Sequence, residues 1–157
     1  LGGRGEVIAR LRLVATADLH LHLLPHDYYA DRPLGAIGLA RLAPLLRRLR
    51  AEVPGSLLLD DGDSLQGNLL GDWLAAEGRG RPHPMIAAMN ALGYDAATLG
   101  NHEFNHGLDY LRRALGEARF PVVSANLLGR DGPLVPPWAL LRRQVVGSAG
   151  PLPLAGG

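Results

Sequence analysis

The chain has 157 residues, 47% of them apolar and 20% charged, with a formal net charge of +1 and no cysteine. That is the size of one domain with a real core. The near-zero charge gives no footprint for a nucleic-acid polymer. The absence of Cys rules out a disulfide framework or a thiolate metal site, and no run approaches the ~20 apolar residues of a membrane span.

Arg10 to Thr16 alternates Leu11, Leu13 and Ala15 against Arg10, Arg12 and Val14, and predicts a first strand. Asp18 to Pro33 is a polar loop holding His20, His22, His26 and Tyr28-Tyr29. Leu39, Leu42, Leu45 or Leu46, and Leu49 follow helical spacing with Arg residues mostly outside. Pro44 lies inside that pattern, and an interior helix proline costs ~3 kcal/mol, so a kink or two shorter helices is expected.

Ser56 to Leu59 predicts a buried second strand running into the turn Asp60-Asp61-Gly62-Asp63. A short helix over Leu69–Ala76, a loop over Arg79–Pro84 and a helix over Met85–Leu92 follow. Then come a third strand over Tyr94–Leu99, a helix over Leu108–Ala118 and a fourth strand over Pro121–Ala125. Alternating strands and helices predict an α/β fold with a largely parallel sheet and flanking helices. Gly147 to Gly157 carries no charge and reads as a loose tail. The N-terminus, Leu1-Gly2-Gly3-Arg4, is not Met and has no secretory pattern, so the chain reads as processed or cut from something longer.

Three apolar runs end in polar turns: Asp18–His20, Gly62–Asp63, and Gly100–Asn105, which reads GNHEFN. Ligands collect at the carboxyl edges of parallel strands, so three such ends suggest one site. Asp18 and His20, two apart in extended backbone, point the same way and can share a cation. Oxygen and nitrogen donors without sulfur suit Zn, Mn, Fe or Co. Asp63 carries two oxygens and can bridge two ions. Asn101 offers a neutral carbonyl oxygen, and His102 can face a substrate phosphate. Each has a plain alternative: a surface turn for Asp18 and Asp63, an Asx turn or cap for Asn101, a structural imidazole for His102. Glu103 reads as an acceptor for backbone donors, Phe104 as core and Asn105 as a helix cap. His83 reads as a cap or buttress for the next helix; Trp73 and Trp138 read as packing or as stacking surfaces for a nucleobase.

In order, the chain holds ATADLHLHLL, DYY, LLLDDGDSLQGNLLGDWLA and HPMIAAMNALGYDAATLGNHEFNHGLDYL. From about Leu13 to Leu128 this resembles the N-terminal part of the calcineurin-like metallophosphoesterases of the 5′-nucleotidase superfamily. The branch it is most similar to is the 2′,3′-cyclic-nucleotide 2′-phosphodiesterase/3′-nucleotidases. DLH, GDxxQG and GNHEF in this order and spacing are specific to that superfamily. The resemblance implies about half of a four-layer α/β/β/α sandwich. It implies two divalent metal ions (Mn, Zn, Co or Fe), with Asp18 and His20 on the first, Asp63 bridging, Asn101 on the second, and His102 as the catalytic imidazole. Asn101 and His102 would also meet the substrate, a nucleotide or cyclic nucleotide. The cyclic diester would open at its 2′ oxygen, and the remaining 3′ phosphate would then be removed.

The resemblance also implies residues this sequence lacks. No His follows His106, whereas the family draws further metal-binding histidines from later in its chains. Residues 1–128 are therefore expected to be the N-terminal part of a catalytic domain whose C-terminal half is missing. Residues 129–157 are expected to be a remnant strand or loop with a disordered tail. Little activity is expected from the chain alone. Two alternatives stay open. One is a 5′-nucleotidase, a UDP-sugar hydrolase or a manganese thiosulfohydrolase relative; the other is a non-catalytic metal-binding fragment. Location in the periplasm or at the cell surface is implied by the family alone, and no membrane or nucleic-acid partner is expected.

Overall fold

A computed structural model of the chain describes residues 11–78, 80–144, 146–147 and 150–151. Its elements run β1 (Leu13–Thr16), β2 (His26–Asp27), β3 (Arg32–Pro33), α1 (Leu39–Glu52), β4 (Leu57–Asp60), α2 (Leu69–Ala76) and α3 (Pro84–Leu92). Then follow β5 (Ala96–Ala97), a 3-10 turn (His102–Phe104), α4 (Leu108–Gly116), β6 (Leu128–Gly129), β7 (Gly132–Pro133), β8 (Val146–Gly147) and β9 (Gly150–Pro151). The expected α/β fold is present. β1, β4 and β5 form a parallel sheet in that order, with Leu13 opposite Leu57 and Leu59 opposite Ala96. The remaining strands pair as three antiparallel ribbons of two residues a side.

One core joins the sheet to its helices. Leu58 is fully buried at its centre, among Leu21, Leu39, Met85, Met89 and Leu111. Helix ends are closed by named groups. Arg12 donates from Nη1 to Leu49 O at 2.8 Å and pairs with Glu52 at 2.7 Å, capping the last turn of α1. Asn68 Oδ1 accepts from Leu70 N and Gly71 N to start α2, and Gly93, left-handed at φ 69°, ends α3. Asp95 is a second fastening. Its carboxylate accepts from Leu58 N at 2.8 Å and pairs with Arg50 and Arg143, tying the start of β5 to β4, α1 and the segment around Arg143.

Several expectations change. Pro44 does not split its helix: α1 runs through it for 14 residues. Both Pro44 and Ala40, whose carbonyl lacks its usual partner, are exposed, so that carbonyl is open to solvent. In β1 the alternation holds but Leu11 and Leu13 face outward, 55% and 62% exposed, while Val14 and Thr16 face the core. The third strand shrinks to Ala96–Ala97, although Asp95 N and Thr98 N still donate to Leu58 O and Asp60 O. The fourth is a single parallel bridge between Ala97 and Val122, because Ser124 N turns away to Pro136 O. Helix α4 stops at Gly116, two residues before the expected end. Arg10, Arg79 and most of Gly147–Gly157 lie outside the described residues.

Candidate metal centre

Because β1, β4 and β5 are parallel, their carboxyl ends share one edge, and the three polar turns emerge there together. The turns are stitched by backbone. Asp18 N donates to Gly62 O at 3.1 Å, His20 N to Asp63 O at 2.9 Å and Leu21 N to Ser64 O at 3.0 Å. Glu103, 2% exposed, joins the second of these turns to the third. Its Oε2 accepts from Asp63 N (2.8 Å) and Gly100 N (2.7 Å), and its Oε1 from Ser64 N (2.6 Å) and Leu65 N (3.1 Å). Four charge-assisted bonds compensate the burial of that carboxylate. This is the backbone-accepting role expected of Glu103.

Beneath them Asp60, 4% exposed, accepts from Thr16 Oγ1 at 2.6 Å and Ser64 Oγ at 2.7 Å, and Thr16 Oγ1 also meets Tyr94 OH at 2.9 Å. Burial raises the Asp60 pKa, with the Thr16 and Ser64 hydroxyls pulling it back. Burial also pushes the Tyr94 hydroxyl up to about 12, so it stays a neutral hydrogen-bonding group.

The turns are strained where the donors sit. Asp18, His20, Leu21 and Asp63 have φ of 55°, 44°, 55° and 55°, a region side chains seldom occupy. Gly100 packs its α-carbon against the Asp63 carboxylate so closely that a Cβ would collide with it.

Asp18, His20 and Asp63 each bring a ligand atom to within 4.8 Å of the other two, and His20 Nε2 lies 3.7 Å from Asp18 Oδ1. Two carboxylates and an imidazole fit a divalent cation of the Zn or Mn kind. His102 adjoins this group: its backbone N donates to Asp63 Oδ1 at 2.8 Å and its ring stands edge-on to His20, centroids 5.1 Å apart. Asn101 lies beside it at the same edge. It is exposed, and its side chain makes no hydrogen bond among the described residues.

Other singled-out residues go elsewhere. His83 caps α3 as expected, accepting from Ile86 N at 3.5 Å, and bonds Tyr110 OH at 2.9 Å. His26 pairs with Asp31 across the β2–β3 ribbon, and His106 stacks edge-on to Tyr110. Trp73 has the Arg81 guanidinium 5.5 Å over its ring, while Trp138 is 73% exposed. Asn105 does not cap α4, which starts at Gly107 with φ 83°. Its carboxamide instead lies 3.1 Å from both Gln66 Oε1 and His102 Nδ1. Sequence reasoning gave Gln66 no role, although it stands inside the GDSLQG motif.

Comparison with known proteins agrees with this edge. The calcineurin-like phosphoesterase family matches residues 11–152. The chain is similar to the 2′,3′-cyclic-nucleotide 2′-phosphodiesterase/3′-nucleotidase of Haemophilus influenzae, at 43% identity over 94% of this chain and 23% of that one. To the protein of the same name from Yersinia enterocolitica it is 47% identical, over 75% of this chain and 18% of that one. Among solved structures, the calcineurin-like phosphoesterase YfkN of Bacillus subtilis superimposes with a TM-score of 0.86 at 39% identity, over 91% of this chain and 45% of that one. The chain thus spans less than a quarter of the length of these two curated relatives. A match across nearly the whole sequence, on a sheet edge that gathers the DLH, GDxxQG and GNHEF turns, shows that the chain belongs to the calcineurin-like phosphoesterase family.

Proposed function

We propose that this chain carries part of the catalytic centre of a metal-dependent phosphoester hydrolase acting on nucleotides, of the 2′,3′-cyclic-nucleotide 2′-phosphodiesterase/3′-nucleotidase type. The observation that carries the reading is the convergence of Asp18, His20 and Asp63 at one sheet edge. Residues 1–128 are assigned to the N-terminal part of the catalytic domain and 129–157 to a remnant strand or loop with a tail. Asp18, His20 and Asp63 would hold a divalent ion, and Asp63 with Asn101 from the neighbouring turn would serve a second. A divalent pair supplies charge neutralisation and alignment of the entering and leaving oxygens. His102, fixed to Asp63 through its backbone N–H, would face the phosphoryl group with Nε2, which first takes up a proton and then gives it to the departing oxygen. Glu103 ties the Asp63 turn to the Gly100 turn, and backbone bonds tie the Asp18 turn to the Asp63 turn, so that these donors stay aimed. Asn105 where plain nucleotidases carry Asp favours the cyclic-nucleotide branch.

Four protein donors are few for two ions. The purified chain is therefore expected to bind Mn or Zn weakly, and to hydrolyse bis-p-nitrophenyl phosphate and 2′,3′-cyclic AMP slowly. Elemental analysis and a metal titration of the parent chain against Asp63→Ala test this. Stoichiometric metal lost in the variant supports the centre, and equal binding by both chains rejects it. Efficient turnover by the parent would reject the view that the centre is incomplete. Export to the periplasm or cell surface belongs to the same proposal and rests on family resemblance. The described residues contain no helix long and apolar enough to cross a membrane, and cell fractionation decides the point.

A further inference from the structure

Both imidazoles at the edge make contact with the same residue. His20 Nδ1 lies 2.9 Å from the main-chain carbonyl of Gln66, and His102 Nδ1 lies 3.1 Å from the side-chain Oε1 of Gln66. A main-chain carbonyl only accepts, so the His20 proton is on Nδ1 and its Nε2 is bare. Nε2 is the atom near Asp18.

The His102 proton follows from a triangle. His102 Nδ1, Gln66 Oε1 and Asn105 Nδ2 are each 3.1 Å from the other two, so any two partners subtend about 60° at the third. A carboxamide NH₂ directs its two hydrogens about 120° apart and cannot serve two acceptors at that angle, whereas a carboxamide oxygen accepts broadly from two donors. The shared corner is therefore an oxygen, and His102 Nδ1 donates to it. Turning over both amides would leave the proton on Nδ1 but move the shared oxygen to Asn105; with the oxygen on Gln66, as here, Gln66 is the acceptor, and Gln66→Ala distinguishes the two.

Gly67 shows how close the chain comes. With φ 147° it lies so near His20 that a Cβ would stand 2.6 Å from the His20 Cβ. Only glycine there lets the Gln66 carbonyl reach the ring.

We propose that Gln66 is the positioning residue of this centre, fixing both imidazoles in the Nδ1–H tautomer so that two bare Nε2 atoms face one site. The main chain sets His20 as a metal donor, and the side chain sets His102 toward the phosphoryl group. The inference rests on the hydrolase reading for what those atoms do, but the tautomers themselves can be read without a metal or a substrate.

The test is ¹⁵N-resolved NMR of the ring nitrogens in the metal-free 157-residue chain at about pH 8, above the ordinary imidazole range. The parent should show a protonated Nδ1 and a bare Nε2 on both His20 and His102. Gln66→Ala should leave His20 as it was and release His102 into a mixture of tautomers. Gln66→Glu, which keeps the acceptor, should restore the Nδ1–H form. An Nε2–H form of His102 in the parent overturns the proposal, as does a His102 that ignores Gln66→Ala. Equal disturbance of both rings would also overturn it, since that is loss of structure rather than of positioning. If Gln66→Ala does not fold, the parent spectrum and Gln66→Glu decide. In a parallel zinc titration Gly67→Ala should weaken binding about 10-fold or more by displacing His20. If the parent binds no zinc that Asp63→Ala removes, the hydrolase reading fails while the tautomer result stands by itself.

Discussion

Histidine is used in opposite ways in two regions of this molecule. At the start of α3, His83 is 5% exposed and both its ring nitrogens are engaged, one by Ile86 N and one by Tyr110 OH. At the sheet edge, His20 and His102 bond the protein through Nδ1 and leave Nε2 to other partners. The first imidazole is spent on holding α3 against α4, and the second pair is held so as to stay available. Burial with both nitrogens satisfied marks a structural histidine. Partial exposure with one nitrogen anchored leaves the other open to a ligand, as the proposed roles of His20 and His102 require.

The contrast can be broken in four places. Glu103→Ala should have the largest effect. Four backbone N–H groups lose their acceptor, at roughly 1–3 kcal/mol for each that water does not reach, so urea unfolding should show a loss of about 4 kcal/mol or more. A loss under about 1 kcal/mol would mean that something else holds the Asp63 and Gly100 turns together.

Next is the pH dependence of the His83 region. Burial, and secondarily the nearby His106, lower the His83 pKa from 6.5 to about 4. Between those values the unfolded chain takes up a proton that the folded chain refuses, so stability rises with pH across the window. The contribution is intact above the unfolded value and lost as the pH falls toward 4. Over pH 7 to 5 this amounts to about 2 kcal/mol, and His83→Gln should flatten that part of the stability curve. An unchanged slope would show that His83 is not held neutral.

Tyr110→Phe removes the hydroxyl partner of His83 and should cost about 1 kcal/mol in thermal or urea unfolding, without altering metal binding. A change in metal affinity would couple two regions that the structure keeps apart. The smallest stability effect belongs to His20→Asn. Asn tolerates the left-handed backbone there but gives up the bond to the Gln66 carbonyl, which water can replace at this part-exposed edge, so unfolding should shift by under about 1 kcal/mol while metal affinity is lost. A large destabilisation would make His20 a structural residue after all.

Much of this was legible in the residues. Parallel strands followed from the alternation of apolar runs and helical patterns, and the three polar turns at their ends were visible as motifs. What was missed depends on facts that only packing supplies. Leu11 and Leu13 alternate correctly, but a period of two does not say which face meets the core. Pro44 is tolerated because it falls on the wet side of α1. The strand expected at Pro121–Ala125 has suitable residues, yet Ser124 N is taken by Pro136 O, a contact spanning a later segment. Gln66 went unassigned because its importance lies in a carbonyl and a carboxamide reaching residues 46 and 36 positions away.

The left-handed backbone at Asp18, His20 and Asp63 has a consequence for how such a centre can drift. Branched replacements such as Thr, Val or Ile are penalised there before any cation is considered, whereas Asn, Asp, His and Gly fit the peptide geometry. Of these four, only Gly carries no oxygen or nitrogen donor. Mutation at these positions is therefore channelled toward exchanging one cation preference for another, and away from filling the site with inert side chains.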